Sequence, residues 1–141
     1  MRTLVLAALL AAATLPATAP ARAGETPAPE GARLYIIAPA DGAVVTNPVT
    51  VQFGLSGMGV APAGVEKAGT GHHHLLIDAA VPDLDAPVPS DDNHRHFGGG
   101  QTEVTLRLTP GQHTLQLLLG DQNHIPHKPP VMSRRITVTV K

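Results

Sequence analysis

The sequence predicts an all-β protein, an antiparallel, immunoglobulin-like β-sandwich of six or seven short strands joined by long loops. Apolar and polar residues alternate in several short runs, which is the period of half-buried strands. No window has the period of roughly 3.6 residues that marks a helix. The chain also contains 14 prolines and 14 glycines, which interrupt helices and favour turns. A small barrel is the alternative arrangement of the same strands.

The N-terminal residues have the pattern of a secretory signal peptide. Arg2 precedes an apolar run over residues 4–15, and the ARA motif at residues 21–23 fits a small-x-small cleavage site. We therefore expect residues 1–23 to be removed and the product to be periplasmic or secreted. No second apolar stretch approaches the roughly 20 residues of a spanning helix, so we expect no insertion into a membrane.

The remaining residues are predicted to comprise a leader and one domain. Residues 24–32 (GETPAPEGA) are rich in Pro and Gly and lack an apolar period, which predicts a disordered leader. Strand signals begin at Arg33, so residues 33–141 are predicted to form a single β-sandwich domain. A chain of this length buries roughly two-thirds of its unfolded surface. That is enough for one core without disulfides, and the chain contains no cysteine.

Six runs are predicted to be strands, and alternation assigns a buried face to most of them. The runs are residues 34–38, 49–55, 72–78, 104–108, 113–119 and 135–141. The predicted inward residues are Val49, Val51, Phe53, Val104, Leu106, Leu108, Leu115, Leu117, Leu119, Ile136, Val138 and Val140. Residues 103–119 are further predicted to form a hairpin, because Pro110 and Gly111 suit the centre of a type II turn.

Composition excludes several classes of partner. The chain has 10 Lys and Arg against 11 Asp and Glu, and removal of Arg2 and Arg22 with the signal peptide leaves a net charge near −3. Nucleic acids and anionic membranes require a basic patch, so neither is expected to bind. Aromatic platforms for a sugar are also scarce, since the aromatic residues are only Tyr35, Phe53 and Phe97.

Histidines in and beside the long connections are the main functional signal. The connections over residues 54–71, 79–102 and 120–133 are longer than a sandwich needs, and such loops are often functional. We predict a metal site whose ligands come from six histidines: His72, His74, His94, His96, His124 and His127.

The spacing of these histidines suits metal binding. In a strand, His72 and His74 project from one face and start about 6.5–7 Å apart. Imidazoles at that spacing can converge on one ion at about 2.0–2.1 Å. Two further histidine pairs follow in the loops, and a site of three or four ligands requires at least two of the three pairs to meet.

Other roles for the histidines stay open. His73 lies on the opposite strand face and is expected to be a buried neutral imidazole hydrogen-bonded to the backbone. His113 is expected to be a surface residue. The six candidate ligands are equally suited to structural hydrogen bonding or to a pH-sensitive surface, because an unperturbed imidazole titrates near pH 6.5.

The ligand types narrow the choice of metal. Imidazole sets suit Cu(II), Zn(II) and Ni(II), and the affinity order favours copper. Without thiolates, soft Cu(I) and Cys-type zinc sites are excluded, although Met58 or Met132 offers a thioether. Four carboxylates lie close enough in sequence to orient an imidazole; they are Asp78, Asp91, Asp92 and Asp121.

Several motifs resemble a family of small secreted bacterial proteins catalogued as domain of unknown function 4399. They are FGLSGMGVAPAG, TGHHHLLID, NHRHFGGGQTE, PGQHTLQLLLGDQNHIPH and PPVMS. The resemblance spans about residues 34–140 and implies a secreted single domain. It implies no activity or ligand.

We therefore predict a non-catalytic periplasmic protein that carries or buffers copper or zinc, with an affinity that falls as the pH drops through about 6.5. The competing hypothesis is an accessory module for a cell-envelope partner, in which the histidines are structural. A third hypothesis, a redox or hydrolytic metalloenzyme, requires an open coordination position that no sequence feature demonstrates. No catalytic residue is assigned.

Overall fold

In the computed structural model, which describes residues 25–141, two β-sheets pack against each other as an open sandwich. The strands are β1 (Arg33–Ala38), β2 (Val44–Val45), β3 (Val49–Ser56), β4 (Gly59–Val60), β5 (Thr70–Ile77), β6 (His94–His96), β7 (Glu103–Leu106), β8 (Gly111–Gly120) and β9 (Ile136–Val140). Residues 25–141 contain no helix, and therefore none that could cross a membrane. The all-β sandwich prediction is confirmed, while the predicted signal peptide lies outside the described residues.

One sheet is antiparallel and the other is mixed. The smaller sheet has the order β1-β3-β7 and is antiparallel throughout. The larger sheet has the order β2-β9-β8-β5-β4, and β6 also pairs with β5. The two-residue strands β2 and β4 pair in parallel with β9 and β5, which differs from the purely antiparallel prediction. The finer immunoglobulin-like assignment stays a prediction.

Side chains from both sheets form the main core, and the predicted inward faces are confirmed. Ten of the twelve predicted inward residues are at most 8% exposed. The other two, Val104 and Leu108, are partly buried and pack against the same core. Alternation therefore identified the interior faces of β3, β7, β8 and β9.

The predicted hairpin over residues 103–119 is wrong. Strand β7 pairs with β3, whereas β8 pairs with β5 and β9 in the other sheet. The side-chain amide of Asn47 donates to the carbonyl of Leu108 at 2.7 Å and accepts from its N–H at 3.0 Å. The side chain of Asn47 thus makes the two backbone hydrogen bonds that a neighbouring strand would make to Leu108. After this residue the chain crosses to the other sheet.

The outer face of the larger sheet is also covered. Leu76 and Leu118 lie on this face of β5 and β8 and pack with Val88 in a second apolar cluster. Val88 belongs to the loop over residues 79–93, which runs across the sheet. Strand β5 is therefore buried on both faces, and its histidines lie in covered surroundings.

The segment predicted to be a disordered leader contacts the domain. Within residues 24–32, the Ala28 N–H donates to the carbonyl of Lys128 at 2.9 Å, and the Lys128 N–H donates to the carbonyl of Thr26 at 2.9 Å. The Thr26 hydroxyl donates to the Asp121 carboxylate at 2.6 Å. Backbone groups provide most of this pairing, so a composition poor in apolar residues does not prevent it.

Candidate metal centre

Strand β5 projects its three histidines to opposite sides of the larger sheet. His73 points into the sandwich, where its ring centroid lies 5.1 Å from that of Phe53. His72 and His74 point to the outer face, as predicted, and their ring centroids are 4.7 Å apart. All three side chains are 0% exposed. The outer pair forms the base of a cluster that other elements complete.

Strand β6 brings a third imidazole to this pair. It lies along β5 in antiparallel register, with His96 directly opposite His74. The Phe97 N–H donates to the carbonyl of His73 at 3.1 Å and continues the pairing. His96 is exposed, unlike the β5 histidines, and it lies at the side of the cluster that solvent reaches.

A turn after β8 contributes a fourth imidazole, that of His124. The Asp121 carboxylate accepts hydrogen bonds from the N–H groups of Asn123 and Ile125, at 2.8 and 2.9 Å. The His124 N–H donates to the Asp121 carbonyl at 2.9 Å. His124 has φ = 68°, in the left-handed region that histidine enters more readily than most residues. Asp121 therefore fixes the turn that holds His124 over the sheet.

The four rings form one compact group, which we call the histidine cluster: His72, His74, His96 and His124. Ring nitrogens of the first three lie within 4.8 Å of one another. The centroid of His124 is 5.0 Å from that of His72, 6.0 Å from that of His74 and 4.7 Å from that of His96. Every ring thus neighbours every other ring.

The buried nitrogens of the cluster lack hydrogen bonds. Both ring nitrogens of His72 and both of His74 are buried without a partner in the described part of the protein. Leaving such a group unsatisfied costs roughly 1–3 kcal/mol. The arrangement therefore places imidazole nitrogens that make no hydrogen bond close together on the outer face of the sheet.

Burial keeps His72, His74 and His96 uncharged at neutral pH. Desolvation, reinforced by the neighbouring imidazoles, lowers the pKa of His72 to about 4 and that of His74 to about 3. Asp121 opposes the shift of the His72 pKa, and the nearby backbone of Leu118 opposes that of the His74 pKa without making a hydrogen bond of good geometry. Desolvation and His124 also lower the pKa of His96. Neutral imidazole is the form that ligates metal ions.

The other two predicted ligands have different partners. His94 Nδ1 lies 2.9 Å from the Asp91 carboxylate, and His127 Nε2 lies 3.0 Å from the Thr70 carbonyl. These contacts tie the 79–93 and 121–133 connections to the sheet. The six predicted ligands thus divide into four that meet and two that hold loops.

The two histidines predicted to be outside the site are indeed elsewhere. The backbone hydrogen bond expected for His73 is not found: neither of its ring nitrogens has a partner among the described residues, although the backbone of Gln101 opposes the burial that lowers its pKa to about 4. His113, predicted to be a surface residue, has a side chain only 11% exposed. Its Nδ1 lies 2.6 Å from the Asp78 carboxylate.

Three glycines leave room for histidine rings, a role that sequence analysis missed. A Cβ on Gly120 would lie 2.7 Å from Cε1 of His74, and one on Gly98 would overlap the ring of His96. A Cβ on Gly71 would lie 2.8 Å from Cε1 of His127. Gly120 and Gly71 are far in sequence from the rings that they accommodate. Gly98 follows His96 by two residues but is the first of three consecutive glycines. The sequence therefore gives no sign of which glycine contacts which histidine.

The carboxylates and thioethers contribute less to the cluster than the sequence suggested. Asp78 and Asp91 contact His113 and His94, and Asp121 holds a turn through backbone N–H groups. The sulfur of Met132 lies 3.8 Å from the Gln116 amide, and Met58 packs against the main core. Asp92 lies 3.9 Å from the Arg95 guanidinium. The cluster is built from imidazoles.

Comparison with known families agrees with the sequence motifs. The model of a domain of unknown function, DUF4399, matches residues 51–141. The chain belongs to the DUF4399 family. All four histidines of the cluster lie inside the DUF4399 match, whereas β1 and β2 precede it. No curated protein and no solved structure matches the chain significantly.

Proposed function

We propose that this DUF4399 domain binds one transition-metal ion, copper or zinc, and serves as a non-catalytic carrier or buffer. Three ligands are His72, His74 and His96, and His124 lies beside them. The proposal rests on the buried ring nitrogens of His72 and His74, which have no hydrogen-bond partner among residues 25–141. A ring nitrogen of His96 lies within 4.8 Å of a nitrogen of each. A single metal ion bound between these nitrogens would give them the partner that they lack.

The donor set fits such an ion. Imidazole nitrogen binds zinc, copper and nickel, and no cysteine competes as a softer ligand in this chain. Nitrogens bound to one ion at about 2.0–2.1 Å lie about 3.3 Å apart in a tetrahedron. Ring rotations would bring the three nitrogens from their separations of up to 4.8 Å to that distance. The low pKa values of His72 and His74 leave their electron pairs free at neutral pH.

Secretion to the periplasm or the medium is part of the proposal. It is supported by the signal-peptide pattern of residues 1–23.

The competing function is an accessory module for a cell-envelope partner. It is favoured by the contacts of His94 and His127, which tie loops to the larger sheet and need no ion. The two functions differ in what happens when His72, His74 or His96 is replaced. The metal carrier loses metal binding and keeps its fold, whereas the accessory module loses stability and has no metal binding to lose.

Calorimetric titration of the tag-free protein with Zn(II) and Cu(II), together with elemental analysis, tests the proposal. We expect one ion per chain, bound more tightly than about micromolar at neutral pH. The variant His96→Asn should weaken binding by about tenfold or more with little change in metal-free stability, because this side chain is exposed. The matched control is His94→Asn in the same strand, which should bind as the wild type does. Absence of binding by the wild-type protein would overturn the proposal.

A further inference from the structure

His124 differs from the other members of the histidine cluster in how it is held. The other three histidines lie on paired strands, whereas His124 lies on a turn and has a left-handed backbone conformation. Ring nitrogens of His72, His74 and His96 lie within 4.8 Å of one another, and those of His124 do not belong to this group. The ring of His124 nevertheless neighbours the other three rings. The turn is nevertheless fixed by Asp121, and the Val88 N–H donates to the His124 carbonyl at 2.9 Å.

The spacing of the four rings indicates a particular coordination geometry. An imidazole centroid lies about 3.2 Å from an ion bound at about 2.0–2.1 Å, so four imidazoles in a tetrahedron have centroids about 5.2 Å apart. Five of the six centroid separations in the cluster are 4.7–5.2 Å, and the sixth, between His74 and His124, is 6.0 Å. A square-planar set would require two opposite pairs at about 6.4 Å.

We propose that His124 is the fourth ligand of a tetrahedral four-imidazole site for a zinc-type ion, and that it occupies the position that an external ligand would otherwise take. This inference rests on the proposed function and refines it. A site with four protein ligands has no open position for substrate or water, which is the property of a structural or storage site. Tetrahedral nitrogen ligation suits Zn(II), whereas Cu(II) prefers a tetragonal set.

Removal of His124 should therefore free one coordination position of the ion without abolishing metal binding. The three remaining imidazoles still form the His₃ set that binds zinc with one position free. Asparagine at position 124 tolerates a positive φ, so His124→Asn keeps the backbone conformation of the turn. His124→Gly serves as a second variant with the same conformational freedom. His94→Asn is the matched control, since His94 contacts Asp91 rather than the cluster.

The test uses Co(II) as a spectroscopic substitute for Zn(II) and azide as the external ligand. We expect wild type and His94→Asn to bind one Co(II) per chain, with the intense visible absorption of four-coordinate cobalt and no response to azide. His124→Asn and His124→Gly should also bind one Co(II), but their spectra should shift on addition of azide. Both should lose cobalt to a chelator at least about tenfold faster than wild type.

The outcomes separate this inference from the proposed function. A wild-type spectrum that already responds to azide, or His124 variants that match the wild type in azide response and in cobalt loss, would overturn the role of His124. The metal site itself would then stand. A wild-type protein that binds none of Co(II), Zn(II) and Cu(II) would instead overturn the proposed function, and the role of His124 with it.

Discussion

At the scale of single residues, neighbouring histidines of one strand have different physical roles. Within residues 25–141, His74 and His73 are both fully buried without a hydrogen-bond partner for their ring nitrogens, but only His74 faces other imidazoles. His73 faces Phe53 in the apolar core. Burial and lowered pKa are therefore common to both residues, and the direction of the side chain distinguishes the proposed ligand from a core residue.

Replacement of these two residues by leucine should affect metal binding in one variant and leave it unchanged in the other. His73→Leu exchanges an unsatisfied buried ring for an apolar side chain, so we expect a stability gain of about 1 kcal/mol and an unchanged metal affinity. His74→Leu should abolish tight metal binding while the metal-free fold persists. Chemical denaturation and calorimetric titration of both variants measure these effects. Loss of metal binding in His73→Leu together with wild-type binding in His74→Leu would show that the metal site lies on the other face of β5.

His113 should stabilise the fold in a pH-dependent way. Its Nδ1 faces the Asp78 carboxylate and its Nε2 faces the Thr109 carbonyl at 2.8 Å, so both nitrogens face acceptors. The hydrogen bond with Asp78 raises the pKa of His113. A raised folded-state pKa gives stability that is complete below the unfolded-state value of about 6.5 and is lost as the pH rises through the folded-state value.

We therefore expect His113→Asn to destabilise the protein more near pH 6 than near pH 9, by less than about 1 kcal/mol for this partly exposed pair. Urea unfolding at the two pH values measures the difference. The variant Asp78→Asn should remove the pH dependence of the effect of His113→Asn. A destabilisation that is the same at both pH values would contradict this account.

At the scale of elements, β5 is the strand on which the site depends. It pairs with β8 along one edge and with β4 and β6 along the other, so it positions both the buried pair of histidines and their neighbour His96. The close approach of β8 to these rings is permitted by Gly120, which lies opposite His72. Strand pairing and glycine placement together set the space in which the rings meet.

Gly120→Ala should disturb the site through this contact. The new Cβ would lie 2.7 Å from Cε1 and 3.2 Å from Nδ1 of His74, so the ring must move. We expect a loss of about 1–3 kcal/mol in stability and a metal affinity at least about tenfold weaker. Gly59→Ala is the control, since its Cβ would meet only Thr70 Cγ2 at 3.4 Å. Wild-type metal affinity in Gly120→Ala would show that the ring position of His74 is not critical.

At the scale of the whole molecule, the protein encloses several neutral imidazoles that the unfolded chain would protonate in mild acid. Desolvation lowers the pKa of His72 and His73 to about 4 and that of His74 to about 3. Because these folded-state values lie below the unfolded value of about 6.5, the unfolded state binds more protons between pH 6.5 and about 3–4. Stability should be complete above pH 6.5 and fall as the pH decreases through this window.

The metal-free protein should accordingly lose on the order of 2 kcal/mol for each of these histidines between pH 7 and about pH 5. Denaturation with a chelator present measures this loss, and saturating Zn(II) should add stability at pH 7 by mass action. The same lowered pKa values should let the ion stay bound to a lower pH than the value of about 6.5 expected for unperturbed histidines. Metal-free stability that does not change between pH 7 and pH 5 would contradict the lowered values.

The sequence by itself determined the properties that depend on local alternation. It predicted the all-β class, the inward faces of the long strands, and the projection of His72 and His74 from the face opposite His73. A strand repeats every two residues, so the side of each residue follows from its neighbours once the strand is recognised. The motifs around these strands also identified the DUF4399 family.

Only the tertiary structure decided which histidines meet. The pairing of β6 with β5 brings His96 to the cluster, and the Asp121 turn brings His124, whereas His94 and His127 contact other groups. For the same reason the predicted hairpin failed: a strand with one apolar face fits equally well beside its neighbour in sequence or across the core from it. Such choices depend on contacts between residues distant in the chain, which local periodicity does not encode.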